Sequence, residues 1–88
     1  MFYVYVLRSC VTAEHYTGST KDLGVRLAWH NEGLNRSTKH ARPWEIIYSE
    51  QFKTRSEAVR RERFLKSGQG REELKRILNH LGARSSGG

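Results

Sequence analysis

What the sequence has little of excludes several kinds of protein. Cys10 is the only cysteine, so no disulfide can form within the chain, and we expect a reducing location such as the cytoplasm. No apolar run approaches the ~18 residues that a membrane-spanning helix needs. The opening stretch, MFYVYVLRSC, has no basic segment before its short apolar block, so we expect no signal peptide.

Several common functional motifs are missing as well. The absence of a glycine-rich phosphate loop argues against an NTPase. The only aspartate, Asp22, stands where a helix is predicted to start, so we interpret it as a cap rather than as the acid of a Ser-His-Asp triad. Structural zinc is disfavoured because Cys10 has no cysteine partner and the four histidines lack the required spacing (His15, His30, His40 and His80).

What the sequence has in excess is positive charge. Its 88 residues, enough for one domain, contain 16 lysines and arginines against 9 acids. The formal charge is +7 and the pI is near 10.1. An excess of this size favours polyanionic partners, nucleic acid first, and composition leaves a generically basic soluble protein as the alternative.

The apolar residues form short blocks that predict three strands and three helices. Residues 2–8 are apolar on both alternating faces, which is typical of a strand covered on both sides. Gly18 interrupts the second strand and indicates a bend or a close backbone approach. We predict an α/β (α+β) fold, with one three-stranded antiparallel sheet flanked by helices. The predicted order is β-β-α-β-α-α, over residues 2–8, 15–20, 20–33, 44–52, 54–66 and 71–81.

Two of the predicted helices carry polar groups beside their apolar stripes. In the first helix, Leu23 and Leu27 define the inward face, and Arg26 and His30 flank it one turn apart. An arginine and an imidazole are therefore expected at the edge of the buried face.

The helix from Thr54, which a capping box with Glu57 opens, shows the same feature. Ala58 and Leu65 point inward, and Glu62 falls about 40° from Ala58 around the helix. A carboxylate so close to the core is costly unless it is paired or bound to a metal.

Each of these residues has a purely structural explanation. Arg26 and Glu62 could form an ion pair, His30 could cap its helix, and Tyr5 and Tyr16 could be core aromatics with satisfied hydroxyls. Together, however, they suit hydrolysis of a phosphodiester. The arginine would stabilise charge on the phosphate, the glutamate would bind Mg²⁺ or Mn²⁺, and a phenol or imidazole would accept the proton of the attacking water.

The tyrosine motifs carry a resemblance to a known family. The stretch YVY at residues 3–5 resembles the first half-motif of the GIY-YIG nuclease domain, and YTG at residues 16–18 resembles the second. Arg26 follows ten residues after the second tyrosine, and His30 four residues later, where the family has a histidine or tyrosine. Glu62 in SEAVRRERFLKS best matches the metal-binding glutamate, with Glu57 as the competing match.

The resemblance covers about residues 2–68 and is strongest to the small stand-alone bacterial members of the family. It implies that residues 1–80 form a single nuclease domain and that residues 81–88 are a flexible tail. It implies an endonuclease that cuts DNA with Mg²⁺ or Mn²⁺, in repair or recombination, with RNA as an open alternative.

The resemblance also implies a role for each site residue. Tyr5 and Tyr16 would lie side by side on adjacent strands and bind the water and the scissile phosphate, one of them as general base. Arg26 would hold the phosphate, Glu62 the metal, and His30 would orient the water or assist proton transfer. Basic residues of the loop 35–42 and of the second helix are expected to contact DNA, namely Arg36, Lys39, Arg42, Arg61 and Lys66.

The sequence departs from the family pattern at several positions. Tyr3 stands where many of the nucleases have glycine, and Ser19 where some repair-type members have lysine. A late asparagine has only Asn79 as a distant candidate, and a separate DNA-binding domain, common in the family, is not found in these 88 residues. A noncatalytic nucleic-acid-binding module and a partner-activated subunit are therefore kept as alternatives.

Overall fold

The computed structural model describes the backbone of residues 1–86 and the side chains of residues 1–81. Its elements follow the predicted order, with one additional 3₁₀ turn before the third strand. They are β1 (Phe2–Ser9), β2 (His15–Thr20), α1 (Leu23–Asn31), the 3₁₀ turn (Lys39–Ala41), β3 (Trp44–Phe52), α2 (Arg55–Lys66) and α3 (Gly68–Ser86). Within the described part of the chain, no helix has the length and apolar character needed to cross a membrane.

The three strands form one antiparallel sheet in the order β2-β1-β3, which confirms the predicted fold class. β1 lies in the centre because both of its faces are apolar. Val4 and Val6 are buried on the face that packs against α2 and α3, and Tyr5 and Leu7 are buried on the opposite face. β2 is an edge strand, so groups from both faces of the sheet can meet at its open border.

Each face of the sheet has its own hydrophobic cluster. Ala58 and Leu65 of α2 pack with Leu74 of α3 on one side, and Leu23 and Leu27 of α1 pack on the other. The inward stripes predicted for both helices are therefore confirmed.

The predicted capping residues are confirmed, although α1 covers only Leu23–Asn31 of the predicted residues 20–33. The Asp22 side chain caps α1 by accepting from the backbone N–H of Val25, and Gly33 follows the helix with φ of +79°, a conformation that L side chains rarely adopt. Thr54 and Glu57 form the reciprocal capping box at the start of α2.

The last helix is longer than predicted at both ends. It starts at Gly68 rather than residue 71, because the Ser67 side chain and carbonyl accept the N–H groups of Gly70 and Arg71. It continues past residue 81 to Ser86, since a single glycine costs a helix only about 1 kcal/mol. Residues 87 and 88 of the predicted flexible tail lie outside the described residues, so the tail and its boundary stay predictions.

A partly buried ion-pair network joins β3 to both C-terminal helices. The guanidinium of Arg61 bonds both carboxylate oxygens of Glu50 at 2.8 and 3.0 Å and one oxygen of Glu73 at 2.9 Å. Tyr48 donates to Glu50 as well, and burial together with this carboxylate raises the pKa of Tyr48 to about 12. Burial alone would raise the pKa of Glu50, but the hydrogen bonds from Arg61 and Tyr48 hold it below its ordinary value.

Candidate functional site

Three aromatic rings meet where α1 crosses the sheet. The ring centroids of Tyr5 on β1 and Tyr16 on β2 are 6.4 Å apart. His30, in the last turn of α1, has its ring 5.9 Å from Tyr5 and 4.9 Å from Tyr16. The antiparallel register pairs Tyr5 with Gly18 and Leu7 with Tyr16, which places both phenols on one face as diagonal neighbours.

His30 is fully buried, and each of its ring nitrogens has a hydroxyl partner. Nε2 lies 2.9 Å from the Tyr5 hydroxyl oxygen, and Nδ1 lies 2.9 Å from the Thr38 hydroxyl oxygen. These contacts, rather than capping of the helix end, account for the placement of the imidazole.

The environment keeps both members of the Tyr5–His30 pair uncharged near neutral pH. Burial first, and then the neighbouring Tyr16 phenol, raise the pKa of Tyr5 well above its ordinary value. By smaller amounts, Arg26 lowers this pKa and Glu62 raises it. Burial, and secondarily the charge of Arg26, lower the pKa of His30 below its ordinary value of 6.5. The pair is therefore a neutral phenol bonded to a neutral imidazole.

Gly18 makes room for this arrangement. A Cβ atom at this position would lie 2.6 Å from the Tyr5 hydroxyl oxygen, closer than real Cβ atoms approach their neighbours, and it would make a tight contact of 3.1 Å with Cε1 of Tyr16. The sequence predicted a bend or a close backbone approach at Gly18. The structure shows a close approach, in which the Tyr5 ring packs against the backbone of β2 at this glycine.

Arg26 lies beside the rings, and no acid among the described side chains forms an ion pair with it. Its guanidinium carbon is 4.6 Å from the centroid of the Trp29 ring, one turn along α1. Among the described side chains, no ion pair joins Arg26 to Glu62, so the structural ion pair considered for these two residues is not formed. Trp44, the other tryptophan, is 4% exposed and belongs to the core.

Glu62 reaches the site around the edge of the sheet. It lies on α2, on the face of β2 opposite the phenols, and its side chain is 21% exposed. One carboxylate oxygen accepts from the Ser19 hydroxyl at 2.6 Å, and the other accepts from the Lys66 ammonium at 2.7 Å. That ammonium is 5.6 Å from the Tyr16 ring centroid, so Lys66 stands between the carboxylate and the phenols.

The residues predicted to contact nucleic acid fall into two groups. Arg36, Lys39 and Arg42 are exposed around the 3₁₀ turn. Arg61, in contrast, is held by two carboxylates, and Lys66 is bonded to Glu62. Glu57, the competing match for the metal-binding glutamate, is exposed and engaged in the capping box.

Sequence reasoning missed two members of the site. Ser19 follows Gly18 on β2 and therefore faces α2, a position that strand alternation could have linked to Glu62. Thr38 belongs to the irregular segment before the 3₁₀ turn, where no periodicity relates it to His30.

The sequence matches the family model described as the GIY-YIG catalytic domain over residues 1–82. The chain therefore belongs to the GIY-YIG family, a nuclease family whose members act on DNA and generally use divalent metals.

Its relatives include small bacterial proteins of similar length. The UPF0213 protein SH2523 of Staphylococcus haemolyticus is 40% identical, and the UPF0213 protein SSP2268 of Staphylococcus saprophyticus 38% identical, each over 76 residues. The UPF0213 protein SAV0488 of Staphylococcus aureus is 36% identical over the same length. These matches cover 85% of this chain and 92% of each relative. No solved structure matches the sequence.

A divalent metal fits these residues as a site with one protein carboxylate. Among the described residues, no group of three histidines, cysteines or acids is arranged to hold a metal ion. The Glu62 carboxylate nonetheless offers hard oxygen atoms at the border of the ring cluster, with a neutral hydroxyl on one oxygen and a cation on the other. Mg²⁺ commonly binds through one or two carboxylates and takes its remaining ligands from water and substrate phosphate, which fits this donor set.

Proposed function

We propose that this protein is a divalent-metal-dependent nuclease that hydrolyses phosphodiester bonds in DNA. The observation that carries the proposal is the grouping of Tyr5, Tyr16, Arg26 and His30 on one face of the sheet. The Glu62 carboxylate lies at the border of this group, beside the edge strand β2. Membership of a nuclease family supports the reaction class. A role in repair or recombination stays a prediction.

We assign the movement of the proton to Tyr5 and His30. The Tyr5 phenol is neutral and cannot by itself keep a proton taken from water, but its own proton can pass to Nε2 of His30, 2.9 Å away. The water proton bonds to the Tyr5 oxygen as this transfer occurs, and the resulting hydroxide attacks phosphorus. The bond from phosphorus to the leaving oxygen then breaks, and the proton on His30 returns through Tyr5 to solvent or product.

The phosphate would be held by Arg26 and by a metal ion bound to Glu62. Arg26 is oriented by its contact with Trp29 and can donate to two phosphate oxygens at once. A bound Mg²⁺ or Mn²⁺ would stabilise the negative charge that develops on the phosphate. The Lys66 ammonium donates a hydrogen bond to one carboxylate oxygen of Glu62, and this bond must break before that oxygen can bind a metal.

The DNA would approach along a basic cleft beside Tyr16. This cleft, about 410 Å³, is lined in part by Lys66, His15 and Arg71. His15 and Arg71 also line a larger groove of about 700 Å³ between α3 and the sheet, where Lys75 adds a further cation. Together with the exposed cations Arg36, Lys39 and Arg42, these residues supply the phosphate contacts of the proposal.

The test compares cleavage of single-stranded, duplex and branched DNA by the wild type, Glu62→Gln and Glu57→Gln, with Mg²⁺ or Mn²⁺. Glu62→Gln keeps the shape and a hydrogen-bonding oxygen but weakens the metal ligand, so we expect a loss of about 100-fold or more. Glu57→Gln alters the capping box and should retain the wild-type rate. Tyr16→Phe, which removes only a hydroxyl, should also lower the rate.

Four results would contradict the assignment. Equal cleavage by all the variants would mean that the activity is a contaminant or belongs to another site. A selective loss in Glu57→Gln would move the metal site to the start of α2. Salt-sensitive DNA binding without cleavage under any metal condition would select the noncatalytic module, and cleavage that appears only with a stoichiometric companion would select the partner-activated subunit.

A noncatalytic module is the second candidate, and one observation favours it. Both oxygens of Glu62 are already bonded, one of them to the ammonium of Lys66. A scaffold that keeps this ion pair would bind nucleic acid through its positive surface and would not load the metal.

A further inference from the structure

Thr38 is a buried polar residue that the proposed mechanism does not yet use. Its side chain is 1% exposed, and its hydroxyl oxygen lies 2.9 Å from Nδ1 of His30. The hydroxyl makes no capping bond to the 3₁₀ turn that follows it. The backbone of Thr38 is held on both sides, because its N–H donates to the Asn35 carbonyl and its carbonyl accepts from Nε1 of Trp44.

A neutral imidazole carries one proton, so the two hydroxyls around His30 cannot play the same part. If Nδ1 carries the proton, it donates to the Thr38 hydroxyl oxygen, whose own hydrogen points to the Asn35 carbonyl at 3.5 Å. Nε2 is then bare and accepts from the Tyr5 hydroxyl. In that arrangement the Tyr5 and imidazole hydrogens have acceptors at 2.9 Å, and the Thr38 hydroxyl hydrogen has a longer contact with the Asn35 carbonyl.

The opposite tautomer leaves a hydrogen without an acceptor. If Nε2 carries the proton, it donates to the Tyr5 oxygen, and the Thr38 hydroxyl donates to Nδ1. Tyr5 is 2% exposed, and its hydroxyl then has no acceptor among the described side chains other than the imidazole nitrogen it faces. A buried donor without an acceptor costs about 1–3 kcal/mol, which is enough to select between two tautomers.

From this geometry we propose that Thr38 is a positioning residue that holds the proton of His30 on Nδ1, so that Nε2 is free to accept the proton of Tyr5. The inference rests on the proposed function, because it supplies the proton acceptor that the nuclease mechanism requires. Thr38 acts through His30 and touches neither the phosphate nor the water.

The tautomer can be measured without any nuclease assay. In slightly alkaline buffer, ¹⁵N–¹H NMR of the wild type should report a protonated Nδ1 and a bare Nε2 for His30. Thr38→Val removes the hydroxyl at almost constant shape, and we expect a substantial shift towards the Nε2-protonated form. Thr38→Ser should retain the wild-type pattern, and so should the control Thr12→Val, whose hydroxyl lies in the exposed β1–β2 connection.

Cleavage provides the second measurement. Thr38→Val should lower the rate about 10-fold or more at saturating DNA, Thr38→Ser should restore most of it, and DNA affinity should be unchanged in both. A wild-type imidazole protonated on Nε2, or an unchanged tautomer in a folded Thr38→Val variant, would overturn the inference. If Thr38→Val fails to fold, the wild-type spectrum still tests which nitrogen of His30 carries the proton. An Nδ1-protonated imidazole in a protein that does not cleave DNA would contradict the proposed function but not the inference about the tautomer.

Discussion

At the scale of single residues, the site depends on how a phenol can be buried. Tyr5 is 2% exposed, and its hydroxyl is accommodated by an imidazole partner and by a glycine on the neighbouring strand. Valine at position 5 would avoid the desolvation of the hydroxyl, so a tyrosine here is costly for stability alone. The same two features, a partner for the hydroxyl and space for the ring, are the ones that the proposed proton transfer uses.

Gly18→Ala should therefore disturb Tyr5 directly. The added methyl would lie 2.6 Å from the Tyr5 hydroxyl oxygen, so the ring must shift and its bond to His30 must lengthen. We expect a loss of about 1–3 kcal/mol in the free energy of unfolding, measured by urea denaturation, together with reduced cleavage. Gly24→Ala is the matched control, because its nearest neighbour would be 3.6 Å away and alanine favours the helix. Equal stability of both variants would show that Tyr5 can move at little cost.

The buried imidazole should make stability depend on pH. Because the folded-state pKa of His30 lies below its ordinary value of 6.5, the unfolded chain takes up this proton first as the pH falls. The contribution of His30 is thus complete above pH 6.5 and decreases towards its folded-state pKa. The unfolding free energies of wild type and His30→Gln should differ by a constant amount above that pH, and the difference should shrink below it. A difference that grows on acidification would mean that the folded-state pKa is raised instead.

At the scale of the elements, the edge position of β2 is what brings the acid to the phenols. Tyr16 and Ser19 project from opposite faces of this strand, and Glu62 of α2 meets only the Ser19 face. In a central strand the two groups would be separated by the next strand of the sheet. The ammonium of Lys66, which reaches both Glu62 and the Tyr16 ring, spans the open border.

Lys66→Met should strengthen metal binding to Glu62. The ammonium occupies one carboxylate oxygen and must leave when a cation binds there. Since the Lys66 side chain is 47% exposed, the competing pair contributes only about 0.5–1 kcal/mol, and we expect a two- to fivefold lower Kd for Mn²⁺ by titration without DNA. Lys75→Met, the control on α3, should leave the Kd unchanged. Weaker binding in Lys66→Met would mean that the lysine supports the metal site rather than competing with it.

The ion pairs of Arg61 should matter more for stability than those at the surface. Arg61→Met leaves Glu50 without its main partner in a largely buried position, and we expect a loss of about 2 kcal/mol in the free energy of unfolding. Arg8→Met breaks an exposed pair with Glu45 and should cost about 0.5 kcal/mol or less. Thermal or urea unfolding of the two variants provides the comparison, and a larger loss in Arg8→Met would contradict the ranking.

At the scale of the whole molecule, the positively charged side chains fall into two groups. Part of the charge is neutralised within the fold, as in the ion pairs of Arg61, and part is exposed around the 3₁₀ turn and along α3. The net charge of +7 is therefore concentrated on cations that are available to phosphate groups.

The salt dependence of DNA binding should reveal which of these cations take part. Replacing Arg36, Lys39 and Arg42 together by glutamine should reduce the slope of log K against log salt by up to about 3, near 0.9 for each duplex phosphate that is no longer neutralised. Fluorescence anisotropy at several salt concentrations measures the slope. A charge-matched triple variant serves as the control, with glutamine at the exposed positions Lys53, Arg60 and Arg76. An equal reduction in both variants would mean that binding is diffuse and that the loop has no special role.

The sequence by itself determined the elements of this protein, because each depends on local signals. Alternating apolar faces predicted β1, the aspartate cap predicted the start of α1, and the capping box of Thr54 and Glu57 predicted the start of α2. The ordered tyrosine, arginine, histidine and glutamate positions were sufficient to identify the family, since their spacing is a property of the chain.

Only the tertiary structure decided how those residues are connected. The position of Glu62 in its helix predicts how close its side chain lies to the inward face of that helix. It does not predict which face of the sheet the helix covers, so the bonds of Glu62 to Ser19 and Lys66 could not be predicted. The contact between His30 and Thr38 joins a helix to an irregular segment, where no repeat links the two positions. Hydrogen bonds in a buried site depend on which groups packing brings within about 3 Å, and that depends on the whole fold rather than on any local stretch of sequence.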